Sequence, residues 1–162
     1  MVYDWASFRL KIGIHASLEA LYNAWTTASG IEKWFLKSCT YKNVAGDVIK
    51  TNQMAKQGDT YVWEWYLYDL PEQGKITHAN GVDFFQFTFA GECLVDISLK
   101  QTDEDVLVEL HQHRIPTDEN AKFDIRIGCL EGWTFYLTNL KSVYENGYDL
   151  RNRKPELKGL NN

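Results

Sequence analysis

The strongest constraint in this sequence is the stretch from about residue 38 to 115, where apolar and polar residues alternate between closely spaced turn signals. These signals are Gly46-Asp47, Gly58-Asp59, Pro71-Glu72-Gln73-Gly74, Asn80-Gly81, Ala90-Gly91-Glu92 and Thr102-Asp103-Glu104-Asp105. Strands joined by turns this short can only run antiparallel, as a meander. A two-residue hairpin at Asn80-Gly81 sets Ile76 opposite Phe85 and His78 opposite Asp83. A three-residue loop at 90–92 sets Phe87 opposite Val95 and Phe85 opposite Ile97. A four-residue loop at 101–104 sets Ile97 opposite Val108 and Val95 opposite Leu110. The three turns are independent, yet they assign one apolar face: Ile76, Phe85, Phe87, Phe89, Val95, Ile97, Leu99, Val106, Val108 and Leu110. A slip of one residue would turn this set outward, so their agreement supports the facing. Gln86, Thr88, Asp96, Ser98, Lys100, Glu109 and His111 make a solvated opposite face.

The flanks complete the layout. Phe8, Leu10, Ile12 and Ile14 alternate with Arg9, Lys11, Gly13 and His15, which predicts a half-buried strand. Ser17 reads as an N-cap, and Leu18, Leu21, Ala24 and Trp25 follow at helical spacing. Ser29-Gly30 is expected to break that helix, and Ile31, Trp34 and Phe35 to form a second short one. After Pro116, Thr117 or Asp118 can cap a last helix reaching Asn146-Gly147. Its stripe is Leu130, Trp133, Leu137, Leu140 and Tyr144, extended upstream by Phe123 and Ile127. One apolar helix face and one apolar sheet face must bury against each other, which makes the chain α+β.

Composition excludes some functions. Of 162 residues, 17 are Lys or Arg and 22 Asp or Glu, a net charge of -5, with the basic residues scattered. No phosphate-binding stripe exists, so nucleic acid is not expected as a partner. No run approaches the ~18 apolar residues of a membrane span. Met1-Val2-Tyr3-Asp4-Trp5 does not read as a signal peptide. Cys39, Cys93 and Cys129 lack close spacing and fit reduced thiols in a cytoplasmic protein. There is no repeat or linker, so residues 1–150 read as one domain and 151–162 as a loose polar tail. Six Trp, nine Tyr and eight Phe fit either a core of large side chains or an aromatic-lined cavity.

Strand, two short helices, curved antiparallel meander and long C-terminal helix is the order of the helix-grip fold, in which the sheet wraps around the last helix. The residues also resemble a family. Ile14-His15-Ala16-Ser17 leading to Leu21-Tyr22-Asn23-Ala24-Trp25, then Gly30-Ile31-Glu32-Lys33-Trp34-Phe35, is similar to the START-like (SRPBCC) superfamily. The branch it resembles is that of homologues of the C-terminal domain of the heat-shock protein 90 ATPase activator. Trp63-Glu64-Trp65, Gly74-Lys75-Ile76, Phe87-Thr88-Phe89, and Gly132-Trp133-Thr134 through Asn139-Leu140 to Gly147-Tyr148-Asp149-Leu150-Arg151 carry the same resemblance. It spans nearly the whole chain and implies chiefly the fold. Members of the superfamily bind lipids, hormones or polyketides, catalyse a few reactions, or assist chaperones.

Three functions follow as expectations. The first is binding of a small, apolar or lipid-like ligand between sheet and long helix. Its walls would be Trp34, Trp63, Trp65, Phe87, Trp133 and Tyr136, and its polar contacts His78, Gln112 and Asp83. The second is a protein-interaction module of co-chaperone type with a chaperone as partner. The third is a cyclase- or hydrolase-like enzyme using His78 and Asp83, since a carboxylate beside a histidine makes a general base. Tyr61, Trp63 and Trp65 share one face of their strand, with Glu64, Tyr66 and Tyr68 on the other. Gln112, inward at the end of a buried strand, needs a partner such as helix backbone, Tyr136, water or ligand. Gly128 and Gly132, four apart in a helix, point to close approach or a cavity, because glycine costs ~1 kcal/mol there against alanine. His111 and His113 leave one strand face with metal-ligand spacing, but no motif places a third ligand. They are expected to be surface histidines, and no metal or cofactor is expected. No phosphate loop, Ser-His-Asp signature or zinc-protease motif is present.

Overall fold

The computed structural model describes residues 3–158. Seven strands form one antiparallel sheet in the order β1-β7-β6-β5-β4-β3-β2. They are β1 (Phe8–Ile14), β2 (Ser38–Lys42), β3 (Thr60–Glu64), β4 (Glu72–Ala79), β5 (Phe84–Phe89), β6 (Cys93–Gln101) and β7 (Val106–His113). Helices α1 (Leu18–Thr26) and α2 (Ala28–Ile31) follow the first strand. Helix α3 (Glu119–Ala121), a π-helical turn (Lys122–Ile127) and α4 (Gly128–Asn146) follow the last. The fold is therefore helix-grip α+β, with α4 lying in the curve of the sheet. All ten residues assigned to the inner sheet face are buried or packed against the core.

The register differs from expectation at two turns. Phe85 does face Ile97, and Phe87 faces Val95. Across β6 and β7, however, Ile97 faces Leu110 and Leu99 faces Val108. The loop is Thr102–Asp105, closed by Thr102 N–H donating to the Asp105 carbonyl at 2.7 Å. This register lies two residues from the expected one, so each side chain keeps its face and only its partner changes. Between β4 and β5 the change is larger. Ile76 faces Phe87 and Ala79 faces Phe85, with a bulge between Ile76 and His78. The bulged extra residue inverts the alternation, so Ala79 packs toward the core and His78 is exposed.

The helical ends have local causes. Ser17 caps α1 by accepting from Ala20 N–H. The break after α1 falls at Thr27, not at Ser29-Gly30. Extended Thr27 accepts from Gly30 N–H through its hydroxyl, which starts α2 and places Ser29-Gly30 inside it. Asp118 caps α3, and Gly147 ends α4 in the left-handed conformation at φ 67°. The π-helical turn shifts the angular register ahead of α4. Phe123, expected in the buried stripe, is 64% exposed, and Arg126 is buried instead. Its Nε donates to the Ser7 carbonyl at 3.0 Å, and its guanidinium lies over the Phe8 ring.

Strand β3 ends at Glu64, so the alternation expected as far as Tyr68 stops there. Tyr61 and Trp63 are buried as expected, and Trp65 is half-buried beyond the strand end. The start of the expected loose tail is anchored. Arg151 is buried and donates to the carbonyls of Glu32, Lys33 and Leu36 at 2.8–3.0 Å. Residues 159–162 of that tail lie outside the described residues.

Candidate functional site

The space between sheet and α4 divides into a filled end and an open end. At the filled end Trp25, Trp34, Trp63, Trp133 and Phe87 are almost wholly buried. Trp25 meets Trp34 edge-on with ring centroids 4.6 Å apart, and Trp63 meets Phe87 at 5.1 Å. Phe35 joins the group at its centre, stacked on Trp133 at 4.9 Å and edge-on to Trp63 at 5.5 Å. Edge-on and offset contacts of this kind add stabilisation beyond burial of area. Trp34 Nε1 donates to the Ala24 carbonyl at 3.0 Å. The expected wall residues Trp34, Trp63 and Phe87 are thus core, filling the space they were expected to line.

The open end is a cleft of about 520 Å³. Its floor is the first turns of α4, with Gly128, Cys129 and Gly132; its sides are Trp65, Phe89, Tyr136 and the segment 66–68. A smaller apolar recess of about 170 Å³ continues from it to Phe35 and Trp133. The two glycines make this space. A Cβ at Gly132 would meet no atom within 4 Å, and one at Gly128 only the Phe123 carbonyl oxygen at 3.9 Å. Helix α4 crosses the sheet here without side chains to fill the gap. Two rim residues, Leu67 at φ 60° and Ala90 at φ 54°, hold left-handed backbone that non-glycine residues rarely adopt. Such conformations persist where the surroundings over-determine them, commonly at binding sites.

Of the nine residues expected at the site, Trp65, Trp133 and Tyr136 line this space. Gln112 is fully buried, as its inward facing required, and accepts from Trp133 Nε1 at 2.9 Å. Its Nε2 has no hydrogen-bond partner among the described residues. The expected His78–Asp83 pair is not formed. His78 faces Gln86 across the strands, and Asp83 sits in the turn, where its carboxylate accepts from Asn80 Nδ2 at 2.7 Å. Asn80 Oδ1 accepts from the backbone N–H of Val82, Asp83 and Phe84, which makes the turn longer than two residues. Neither His78 nor Asp83 borders the cleft, so a general base built from the two has no geometry here.

Sequence reasoning missed Phe35 as an aromatic hub and Glu72, Leu67, Cys129 and Glu131 as cleft residues. The Gly128–Gly132 spacing was the available signal. The rim is acidic, with Glu72 and Glu131, and Glu72 Oε1 accepts from Ala90 N–H at 2.8 Å. Burial pushes the Cys129 thiol up to about 11 and the Tyr136 hydroxyl up to about 12. Both stay protonated at neutral pH, so the floor offers weak hydrogen-bond donors and no nucleophile.

An antiparallel sheet gripping one long helix, with a gap at one end, defines the class as START-like. A family model described as "Activator of Hsp90 ATPase homolog 1-like protein" matches residues 15–145, and the chain belongs to that family. No curated protein sequence matches the chain. Among solved structures it is similar to protein SSP2350 from Staphylococcus saprophyticus, with 19% identity and a TM-score of 0.71 over 90% of this chain and 96% of that one. It is also similar to the Aha1 dimer from Colwellia psychrerythraea, with 19% identity and a TM-score of 0.66 over 87% and 97%. CalU16 from Micromonospora echinospora gives 16% identity and a TM-score of 0.64 over 89% and 77%. At these identities the likeness is one of fold. Among the described residues no helix is long and apolar enough to cross a membrane.

Proposed function

We propose that the chain binds a small, largely apolar molecule in the open cleft between α4 and the sheet. The observation that carries this reading is the side-chain-free floor at Gly128 and Gly132, facing Trp65, Phe89 and Tyr136. A volume of about 520 Å³ lies in the range of small-molecule sites. The acidic rim favours an apolar body with a hydrogen-bond-donating or basic head, held by Glu72 or Glu131. Three free cysteines fit a reducing compartment, and we place the protein in the cytoplasm.

The test is Gly132→Leu, which puts a side chain into the cleft from a helix position that tolerates it. Binding of the neutral dye Nile red, read by fluorescence, is expected to be lost while thermal stability is kept. Native mass spectrometry should show an adduct on wild-type protein that the variant lacks. Equal dye binding by both proteins, with no adduct on either, would sink the reading.

A second reading rests on the family description, which names an activator of the Hsp90 ATPase. It makes the chain a co-chaperone-type module. Stimulation of an Hsp90-type ATPase by this chain, undiminished by Gly132→Leu, would favour it over the ligand-binding reading.

A further inference from the structure

We propose that Asp96, His111 and His113 form a binding site for a divalent transition-metal ion of the zinc class, on the outer face of the sheet. The site lies on β6 and β7, whose other face packs on the core, so it is separate from the cleft. Register brings the three together. Asp96 lies directly opposite His111, and His113 is opposite Leu94, one diagonal step from Asp96 on the same face. Facing and diagonal positions are the ones whose side chains can meet on a sheet.

The donor atoms are already gathered. Asp96 Oδ2 is 3.4 Å from His111 Nδ1, and Asp96 Oδ1 is 3.2 Å from His113 Nε2. The three ligand atoms lie within 4.8 Å of one another. Two ligands each about 2.0–2.1 Å from a tetrahedral ion stand about 3.3 Å apart, so small rotamer changes would seat an ion between them. Both rings reach the one carboxylate, but they stack at 4.7 Å with planes 19° apart, and because an imidazole nitrogen ligates in its ring plane, one ring must turn out of the stack to share an ion.

Two further features support a built site. Gln86 Nε2 donates to Asp96 Oδ1 at 2.7 Å, and Gln86 Oε1 accepts from Thr77 Oγ1 at 2.8 Å. Thr77 occupies the bulge in β4, so the irregularity that turned His78 outward also starts this chain. Outer partners of this kind orient ligating carboxylates. The neighbouring Arg9, opposite His111 on β1, would repel a cation, but its guanidinium is engaged by Glu109. Side-chain exposures of 17–24% leave the outer side open for water or a fourth ligand. Two imidazoles and one carboxylate suit zinc, cobalt or nickel and are poor ligands for magnesium or calcium.

The test uses the tag-free full chain, stripped with a chelator and titrated with Co²⁺. Visible absorption should rise to one equivalent, with the intense bands of four- or five-coordinate cobalt, and one equivalent of Zn²⁺ should bleach them. His111→Ala and His113→Gln are each expected to weaken binding by about 100-fold or more, while His78→Ala leaves it unchanged. Thermal melts of the metal-free variants, expected to match wild type, show that they fold. Absence of saturable binding to wild type, or a titration unchanged in the His111→Ala/His113→Gln double variant, would overturn the proposal.

Discussion

The two ends of the helix–sheet interface share one sheet and one helix yet differ in what α4 supplies. Toward its C-terminus α4 offers Trp133, Leu137 and Leu140, and these are buried. Over its first turns it offers Gly128, Cys129 and Gly132, and a cleft remains. The sheet is apolar at both ends, so hydrophobicity does not set the difference. Side-chain volume on one helix does. The filled end is also strapped by polar groups. Asn139 Nδ2 donates to the Trp34 carbonyl at 2.6 Å, and Asn139 Oδ1 accepts from Leu150 N–H at 2.7 Å. The Asp149 carboxylate accepts from Arg151, which reaches the turn after α2.

If the filled end is core and not cavity wall, removing one of its rings should be the most damaging change in the molecule. Trp63→Ala deletes a fully buried side chain in contact with Tyr61, Phe87 and Phe35. It is expected to cost about 3–5 kcal/mol, read as a fall in urea midpoint with unchanged slope. A loss below about 1 kcal/mol would mean that this end is as loosely filled as the other.

The polar strap should matter nearly as much. Asp149→Asn leaves the buried Arg151 without its carboxylate and is expected to cost about 3 kcal/mol at pH 7. It should also change the acid limb. Burial alone would raise the Asp149 carboxyl, but hydrogen bonds from Arg151 and Arg153 outweigh it and hold the group well below the usual carboxylate range. A carboxyl lowered by folding stabilises fully above its unfolded value of about 3.9 and loses that contribution as pH falls toward the folded one. Wild type should therefore lose more stability than Asp149→Asn between about pH 4 and pH 2. Equal losses in urea melts at the two pH values would show that the strap is not electrostatic.

Most of the fold was legible in the sequence because it rests on local rules. The period-two pattern, the cap at Ser17, the cap signal at Thr117-Asp118 (of which Asp118 is the one used) and the Gly147 stop each act within a few residues. The misreadings arose where geometry is non-local. Nothing in the letters Asn80-Gly81 announces a turn that runs on to Phe84. That longer turn set His78 opposite Gln86 and left Asp83 in the loop, which dissolved the expected pair. Nor does Ile76-Thr77-His78 announce the bulge that keeps Ile76 inward while His78 faces out. A loop placed one residue early set Asp96 opposite Glu109 instead of His111, which hid the third member of the histidine cluster. The faces survived that error because it moved the register by two, and the neighbours did not. At the cleft, the aromatic residues were read by chemistry alone. Which ones fill space and which border it depends on where α4 lacks side chains, and only Gly128 and Gly132 carried that information.

The smallest effect is the sharpest on the comparison. Gln112 belongs to neither end cleanly, since its Oε1 is engaged by Trp133 while its Nε2 is buried without a partner. Gly132→Ala, by contrast, acts wholly at the open end. The added methyl meets no atom within 4 Å, and the backbone there is ordinary helix. Nothing clashes, and the unfolded chain loses conformational freedom, so the variant should gain about 1 kcal/mol from helix propensity. A methyl is too small to fill the cleft, so Nile red binding should weaken only a few-fold, against its loss in Gly132→Leu. A stabilised variant with partial binding would mean that the glycine is kept for the space above it at a cost in stability. A destabilised one would mean that the helix already touches the sheet at this point and that the open end is narrower than the geometry shows.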